Sequence, residues 1–315
     1  NTTWHVNDMR ALRGTIGTGF HAPSPGQSNV QVVTTSFVQG VSIQQGTFPV
    51  TSAVAQFFGA VPLKPETSKN YGVGIVLTPM PNFTATIDAY QIDVTDRIAL
   101  SQSFKVDQAL IDANPALPEL ALVGTGGTVQ YFTNGFNTRT KGVDVVGTYH
   151  MTMNDGSKLG LSLAYNYNKS EVTSYNPAFI STDFIIDVEN LAPKNRGTLS
   201  VDWAKGPISV SLRENYFGSW IDANDYPTAC TDKNGGVVPC NGKQANIVAG
   251  QEFGAKMTTD LSGSYSFLDH YVATVGASNI FNTFPDKIQP TVASPIYTLT
   301  GGQLDGSVLP RSGGP

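Results

Sequence analysis

The sequence predicts an all-β protein, an antiparallel transmembrane β-barrel of which about nine or ten strands are present. Three observations point there. Long segments alternate apolar and polar side chains with a period of two, as strands with two unlike faces do. The connections between them alternate long, short, long, short, as in a barrel with one end in the medium and the other in the periplasm. The 315 residues are 40% hydrophobic but only 14% charged, against about 25% charge in an ordinary soluble domain. No apolar run is long enough for a membrane helix. A secreted β-sandwich could use the same strands, but it has no reason to alternate its loop lengths.

In chain order, Thr2 to Asn7 reads as the end of a strand and Asp8 to Ala11 as a turn. Leu12 to Phe20 follows as a strand with Leu12, Gly14, Ile16, Thr18 and Phe20 on one face. His21 to Pro62 is a long loop with room for a short strand near Val30 to Val33. The central hairpin comes next. Tyr71, Val73, Ile75 and Leu77 share one face of its first strand, Thr78 to Asn82 supplies turn chemistry, and the return strand runs from Phe83 to Ile98. Ser101 to Thr128 is a second long loop, with a helical turn expected over Val106 to Asp112. Val129 to Met151 reads as one very long strand bent near Asn134-Gly135.

Asn154-Asp155-Gly156-Ser157 is a tight hairpin turn. Lys158 to Val172 is the clearest amphipathic strand. Leu159, Leu161, Leu163, Tyr165 and Tyr167 fall on one face, expected to meet lipid; Gly160, Ser162, Ala164, Asn166 and Asn168 fall on the other. Thr173 to Lys194 is a long loop. Asn195 to Ala204 and Ile208 to Trp220 form a hairpin around Lys205-Gly206-Pro207. Ile221 to Ala255 is again long, and Lys256 to Leu268 with His270 to Ile280 makes a last hairpin. Phe281 to Pro315 is polar and rich in Gly and Pro. Tyrosines recur near strand ends (Tyr71, Tyr165, Tyr167, Tyr216, Tyr271), as interfacial girdles require. Full strands number about nine, and an unpaired edge is not tolerated in lipid. The chain therefore reads as one part of a larger barrel.

Patterns for covalent chemistry are missing. There is no Gly-x-Ser-x-Gly elbow. Gly14-Thr-Ile-Gly17-Thr-Gly19 lacks the order and the following helix of a nucleotide loop. His5, His21, His150 and His270 have no ligand spacing. Asp88 and Asp93 share a strand but, at odd spacing, face opposite ways. A net charge of -5 without a basic cluster argues against a nucleic-acid partner. No cofactor is expected. The functional signal lies in the loops. Trp220, Asp222, Asp225 and Tyr226 mix aromatics with carboxylates in one stretch, which suits stacking on and hydrogen-bonding a sugar or an aromatic chelate; a solvated loop anchored at the membrane rim is the plainer alternative. Cys230 and Cys240 are the only cysteines. Their shared polar, turn-rich loop fits a disulfide in an oxidising compartment, with two free thiols as the lesser alternative.

Five stretches resemble one family in the expected order. Leu63-x-Pro65-Glu66-x-Ser68-x-x-Tyr71, with the hairpin that ends in Asp96-Arg97-Ile98, is similar to the late barrel of TonB-dependent outer-membrane receptors. Gly19-Phe20-His21-Ala22-Pro23-Ser24 resembles that family's Gly-Phe-Arg-Ala-Pro-Ser, with His in place of Arg. Thr140-Lys141-Gly142-Val143-Asp144, Leu191-Ala192-Pro193-x-Asn195 and Ser278-Asn279-Ile280-Phe281-Asn282 resemble three further family segments. The resemblance implies one β-barrel domain over residues 1–315, part of a barrel of about twenty-two strands. The plug, the TonB-contacting segment and the final strand are expected to lie outside the chain. It also implies localisation in the bacterial outer membrane and active import rather than catalysis. An iron-siderophore complex is the default cargo; carbohydrate, cobalamin or peptide are alternatives. A passive porin or an outer-membrane barrel enzyme or adhesin would be a different class. Implied partners are outer-membrane lipid, TonB, the plug of the same receptor and a small-molecule substrate.

Overall fold

The computed structural model describes residues 1–38, 41–223, 229–231, 237–238, 246–248, 251–268 and 270–286. Ten strands form one sheet: β1 (Thr2–Asn7), β2 (Arg10–His21), β3 (Glu66–Met80), β4 (Phe83–Leu100), β5 (Phe132–Thr152), β6 (Lys158–Tyr175), β7 (Asn195–Lys205), β8 (Ile208–Phe217), β9 (Lys256–Phe267) and β10 (Tyr271–Ala277). Each is hydrogen-bonded and antiparallel to the next in sequence, and the sheet is not closed. Tight turns join the strands at one end. Long segments join them at the other and fold there into a cap.

Register separates the wall into two chemistries, because side chains opposite each other in paired strands share a face. Leu161 of β6 lies between Tyr149 and Val201, and Leu163 between Gly147 and Leu199. Further round, Val145 lies opposite Ile87, Ile87 opposite Ile75, and Ile75 opposite Leu12. The other face is polar. Ser162 lies between Thr148 and Ser200, and Asn166 between Asp144 and Arg196. Asp88 and Asp93 do point apart. Asp88 pairs with Arg13 on the polar face, and Asp93 pairs with Arg139 on the other at 2.6 Å. Gly74 makes the first pair possible, since a Cβ there would collide with the Asp88 carboxylate. Gly142 serves Tyr90 similarly: an added Cβ would lie 2.3 Å from the Tyr90 ring and hydroxyl.

The wall has almost no buried core. Val73 is 63% exposed and Leu163 46%. Most of the buried apolar residues lie in the cap or, like Ala99 and Phe136, at the strand ends beneath it. Phe48, Val54, Leu120, Val123, Val129 and Tyr131 form its centre, drawn from the two loops before β3 and β5. Those loops contain a four-stranded sheet of Val32–Val38, Val41–Thr47, Thr128–Gln130 and Phe104–Lys105. They also hold four short helices: α1 (Pro25–Asn29), α2 (Ala53–Phe57), α3 (Gln108–Ala113) and α4 (Pro118–Val123). α5 (Thr182–Asn190), between β6 and β7, packs Phe184, Ile185 and Val188 against Ala99, Phe136 and Ile180. Side chains cap α2, α3 and α5: Ser52 accepts from the Ala55 amide at 3.2 Å, Asp107 from Leu110 at 2.8 Å and Ser181 from Phe184 at 3.2 Å.

Several expected boundaries shift. β2 starts at Arg10 rather than Leu12. The loop expected from Thr173 begins after Tyr175 and contains α5. β8 stops at Phe217, and Trp220–Asp222 instead pairs with Gln251–Phe253. At the expected bend, Asn134-Gly135, β5 carries one extra residue between Phe136 and Asn134 against Arg97 and Ile98, and β4 carries a compensating one between Val94 and Arg97. Asp96 there adopts φ 57°, a conformation its short polar side chain tolerates.

Candidate functional site

At the long-loop end of the polar face a folded cap, convergent polar groups and a hollow meet. Asn134 fixes the cap to the wall. Its side-chain amide donates to the Lys64 carbonyl at 2.9 Å and to the Asp96 carbonyl at 2.7 Å, and its oxygen accepts from the Lys64 amide at 2.8 Å. Glu66 at the start of β3 accepts from the Ile98 amide at 2.7 Å. Above these, Phe58, Phe104, Tyr131 and Phe179 form a chain of ring contacts with centroids 5.0 to 6.1 Å apart. The Tyr131 hydroxyl donates to the Phe58 carbonyl at 2.7 Å, and burial pushes its pKa up to about 12.

Below α5, the polar face of β6 and β7 encloses a hollow of about 210 Å³ bordered by Asn166, Asn168, Ser170, Glu189 and Arg196. Asn168 donates to the Tyr90 hydroxyl at 2.9 Å, and Asn166 to Asp144 at 2.5 Å. Glu189 accepts from the Val172 amide at 2.8 Å, which joins the helix to the wall. Arg196 is exposed at its rim. Asp144 and Glu189 are thus engaged, the Asn166 amide donates to both Tyr90 and Asp144, and Ser170 bonds Thr140, which leaves the second Asn168 amide hydrogen and the Arg196 guanidinium as donors for a guest. That set can hold a polar or anionic molecule by hydrogen bonds. Among the described residues, no group of three or more His, Cys, Asp or Glu side chains could hold a metal.

Trp220 and Asp222 lie beside this region. Trp220 is 1% exposed and stacks on Phe253 at 5.2 Å; Asp222 is also buried. The following Ala223 amide donates to Asp187 of α5 at 2.6 Å. Asp225 and Tyr226 lie outside the described residues, as do Cys240 and the side chain of Cys230. Leu159, Leu161, Leu163, Tyr165 and Tyr167 all lie on the apolar face of β6, and the Tyr165 hydroxyl donates to Asn195 at 2.6 Å. The sequence reading placed Asn166 and Asn168 on the polar face but did not mark Tyr90 or Arg196. The only local signal for Tyr90 was that glycine lies opposite it on both neighbouring strands, Gly72 and Gly142.

The family model described as TonB dependent receptor-like, beta-barrel matches residues 1–282. No curated protein sequence matches the chain. Among solved structures, the ferric enterobactin receptor PfeA of Pseudomonas aeruginosa is similar with a TM-score of 0.53 at 16% identity, over 89% of this chain and 34% of that one. The siderophore receptor PirA of Acinetobacter baumannii gives 0.54 at 14% identity, over 93% and 37%. The FrpB iron transporter of Neisseria meningitidis gives 0.53 at 12% identity, over 90% and 34%. At these identities the likeness is one of fold, and this chain spans about a third of each.

Proposed function

The chain belongs to the TonB-dependent receptor β-barrel family of the bacterial outer membrane, and from that premise we propose that it forms the wall and part of the outer cap of an energy-coupled importer for ferric siderophores. The single observation that carries this reading is the two-faced wall with a folded cap at its long-loop end. The apolar face is read as the lipid contact, through Leu159, Leu161, Leu163, Tyr165 and Tyr167. From Leu159 to Tyr167, eight rises of about 3.3 Å at a tilt of about 40° span roughly 20 Å, close to an apolar band of about 25 Å. The polar face is read as the lining against a plug from the same receptor, and the cap as the outward end. The hollow below α5, with the Arg196 guanidinium at its rim, suits an anionic group of a chelate entering from the cap. The loop of Trp220, Asp222, Asp225 and Tyr226 is proposed as a neighbouring contact surface, with Trp220 as its buried anchor. Cargo is bound and moved, and no bond is made or broken.

The test is uptake of labelled iron presented on catecholate, hydroxamate and mixed siderophores by cells with and without the gene. Gene-dependent uptake that stops when the proton-motive force is dissipated supports the reading. Uptake of every ferric siderophore that ignores the gene, with gene-dependent entry of a glycan or peptide instead, overturns the cargo assignment.

A further inference from the structure

The apolar face of the wall ends, toward the cap, in a belt of charge. Lys69 of β3, Asp93 of β4, Arg139 of β5 and Glu171 of β6 lie opposite one another in a single row across four strands. In the next row toward the apolar band, Lys141 of β5 lies directly opposite Lys169 of β6. Tyr71 shares that row through Gln91, and Tyr167 and Tyr165 follow below it on the same face. Four cations thus meet two carboxylates, a surplus of two positive charges. Asp93 is held by Arg139 at 2.6 Å and Glu171 by Lys169 at 2.5 Å. Lys69 and Lys141 are exposed and enter none of the ion pairs found among the described residues.

Folding does not ask for this arrangement. Like charges directly opposite in a strand pair destabilise the sheet, and neighbouring strands stand only about 4.8 Å apart. An anion seated between Lys141 and Lys169 reverses the sign of that contact. The place also selects the anion. A surface immediately beyond an aromatic girdle lies at the level of lipid headgroups, where basic side chains attract anionic lipid.

We propose that Lys69, Arg139, Lys141 and Lys169 form a binding site for the phosphates of a phosphorylated lipid headgroup in the outer leaflet. Lys141 and Lys169 grip one phosphate; Lys69 and Arg139 supply the flanking charge. The acyl chains then lie along the apolar band, past Tyr165 and Leu163. This rests on the reading that the cap end faces outward.

The probe is lipid A, a glycolipid with two phosphates, added to the intact receptor in neutral detergent. Bound lipid is counted by native mass spectrometry. The parent should bind at least tenfold more tightly than a K69Q/K141Q/K169Q variant. It should bind dephosphorylated lipid A no better than the variant does, and it should lose affinity as salt rises, because exposed charge pairs are screened. Equal binding by the variant, or equal binding of the dephosphorylated lipid, would overturn the site. Inorganic phosphate that binds as tightly as lipid A would overturn the lipid assignment. Should the triple variant lose its heat-modifiable folded band on gels, K141R/K169R, which keeps both charges, must keep binding, and K141Q alone must weaken it. The orientation is read separately, by labelling T125C on whole cells with an impermeant maleimide. Labelling above the parental level with no phosphate-dependent binding sinks the site alone; no labelling sinks the orientation.

Discussion

The wall and the cap use apolar residues in opposite ways. In the cap, Phe48, Val54 and Leu120 are fully buried among protein atoms, and polar groups near them are tied off, as Ser101 does for the Tyr131 amide at 3.2 Å. In the wall, leucines and valines of comparable size stand exposed in rows, while asparagine, serine and aspartate bond to one another on the reverse face. A soluble sandwich would turn its leucines together. What holds the wall is the strand ladder and a nonpolar solvent on one side; what holds the cap is burial within the chain. The same kind of residue is therefore a structural contact in one region and a solvent contact in the other, and substitutions should separate the two.

The largest effect is expected in the cap. Phe48→Ala empties the centre of its core and should cost about 3–5 kcal/mol there. Limited proteolysis should cut the segments before β3 and β5 sooner, while the heat-modifiable barrel band on gels persists. Simultaneous loss of both would merge the two regions into one cooperative unit.

The wall is tested by charge. Leu161→Arg or Leu163→Arg should cost about 2–4 kcal/mol if these positions face lipid near the midplane, read as reduced folding into bilayers. Ala164→Arg, one residue away on the polar face, should be milder. The reverse order would turn β6 inside out and favour a soluble sandwich.

Two smaller effects belong to the outward end. Cys230 and Cys240 share one polar loop; pairing them is expected to contribute about 2–3 kcal/mol by chain entropy. Thiol labelling of intact, unreduced cells should find no free sulfhydryl, and stoichiometric labelling would contradict the pairing. The smallest concerns pH. Burial raises the Tyr131 phenol to about 12, against about 10 in an unfolded chain. The folded cap thus favours the neutral form. Its contribution is complete below about pH 10 and is lost as pH rises toward 12. Protease sensitivity of the cap should climb over that window, and Tyr131→Phe should flatten the climb.

This contrast also explains what could be read from the sequence. Alternation over Lys158 to Val172 fixed both faces of β6, and Asn154 to Ser157 fixed its turn, because a membrane strand obeys a local rule over its whole length. The opposed directions of Asp88 and Asp93 followed from the same parity. The cap obeys no local rule. Its helices run five to nine residues, too short for a helical period to stand out, and their stability comes from distant partners. Ser52, Asp107 and Ser181 were visible as capping residues only once the helices were known. Val106 to Asp112 was marked as a helical turn, and α3 lies close by at Gln108–Ala113. Trp220 looked like a surface aromatic because its partner, Phe253, lies far along the chain. The hollow below α5 forms where Val188 and Glu189 of the helix meet Asn166 and Asn168 of β6, and Asn168 in turn bonds Tyr90 two strands away, a meeting that alternation alone cannot place.

The most direct measurement of the central claim is a scan of β6. Spin labels placed singly at positions 159 to 168 of the receptor in bilayers report collisions with oxygen, which concentrates in lipid, and with a water-soluble nickel complex. Oxygen accessibility should oscillate with a period of two, with maxima at Leu159, Leu161, Leu163, Tyr165 and Tyr167 and minima at Ser162, Ala164 and Asn166. A flat profile, or maxima at the even positions, would contradict a wall whose apolar face is its lipid face.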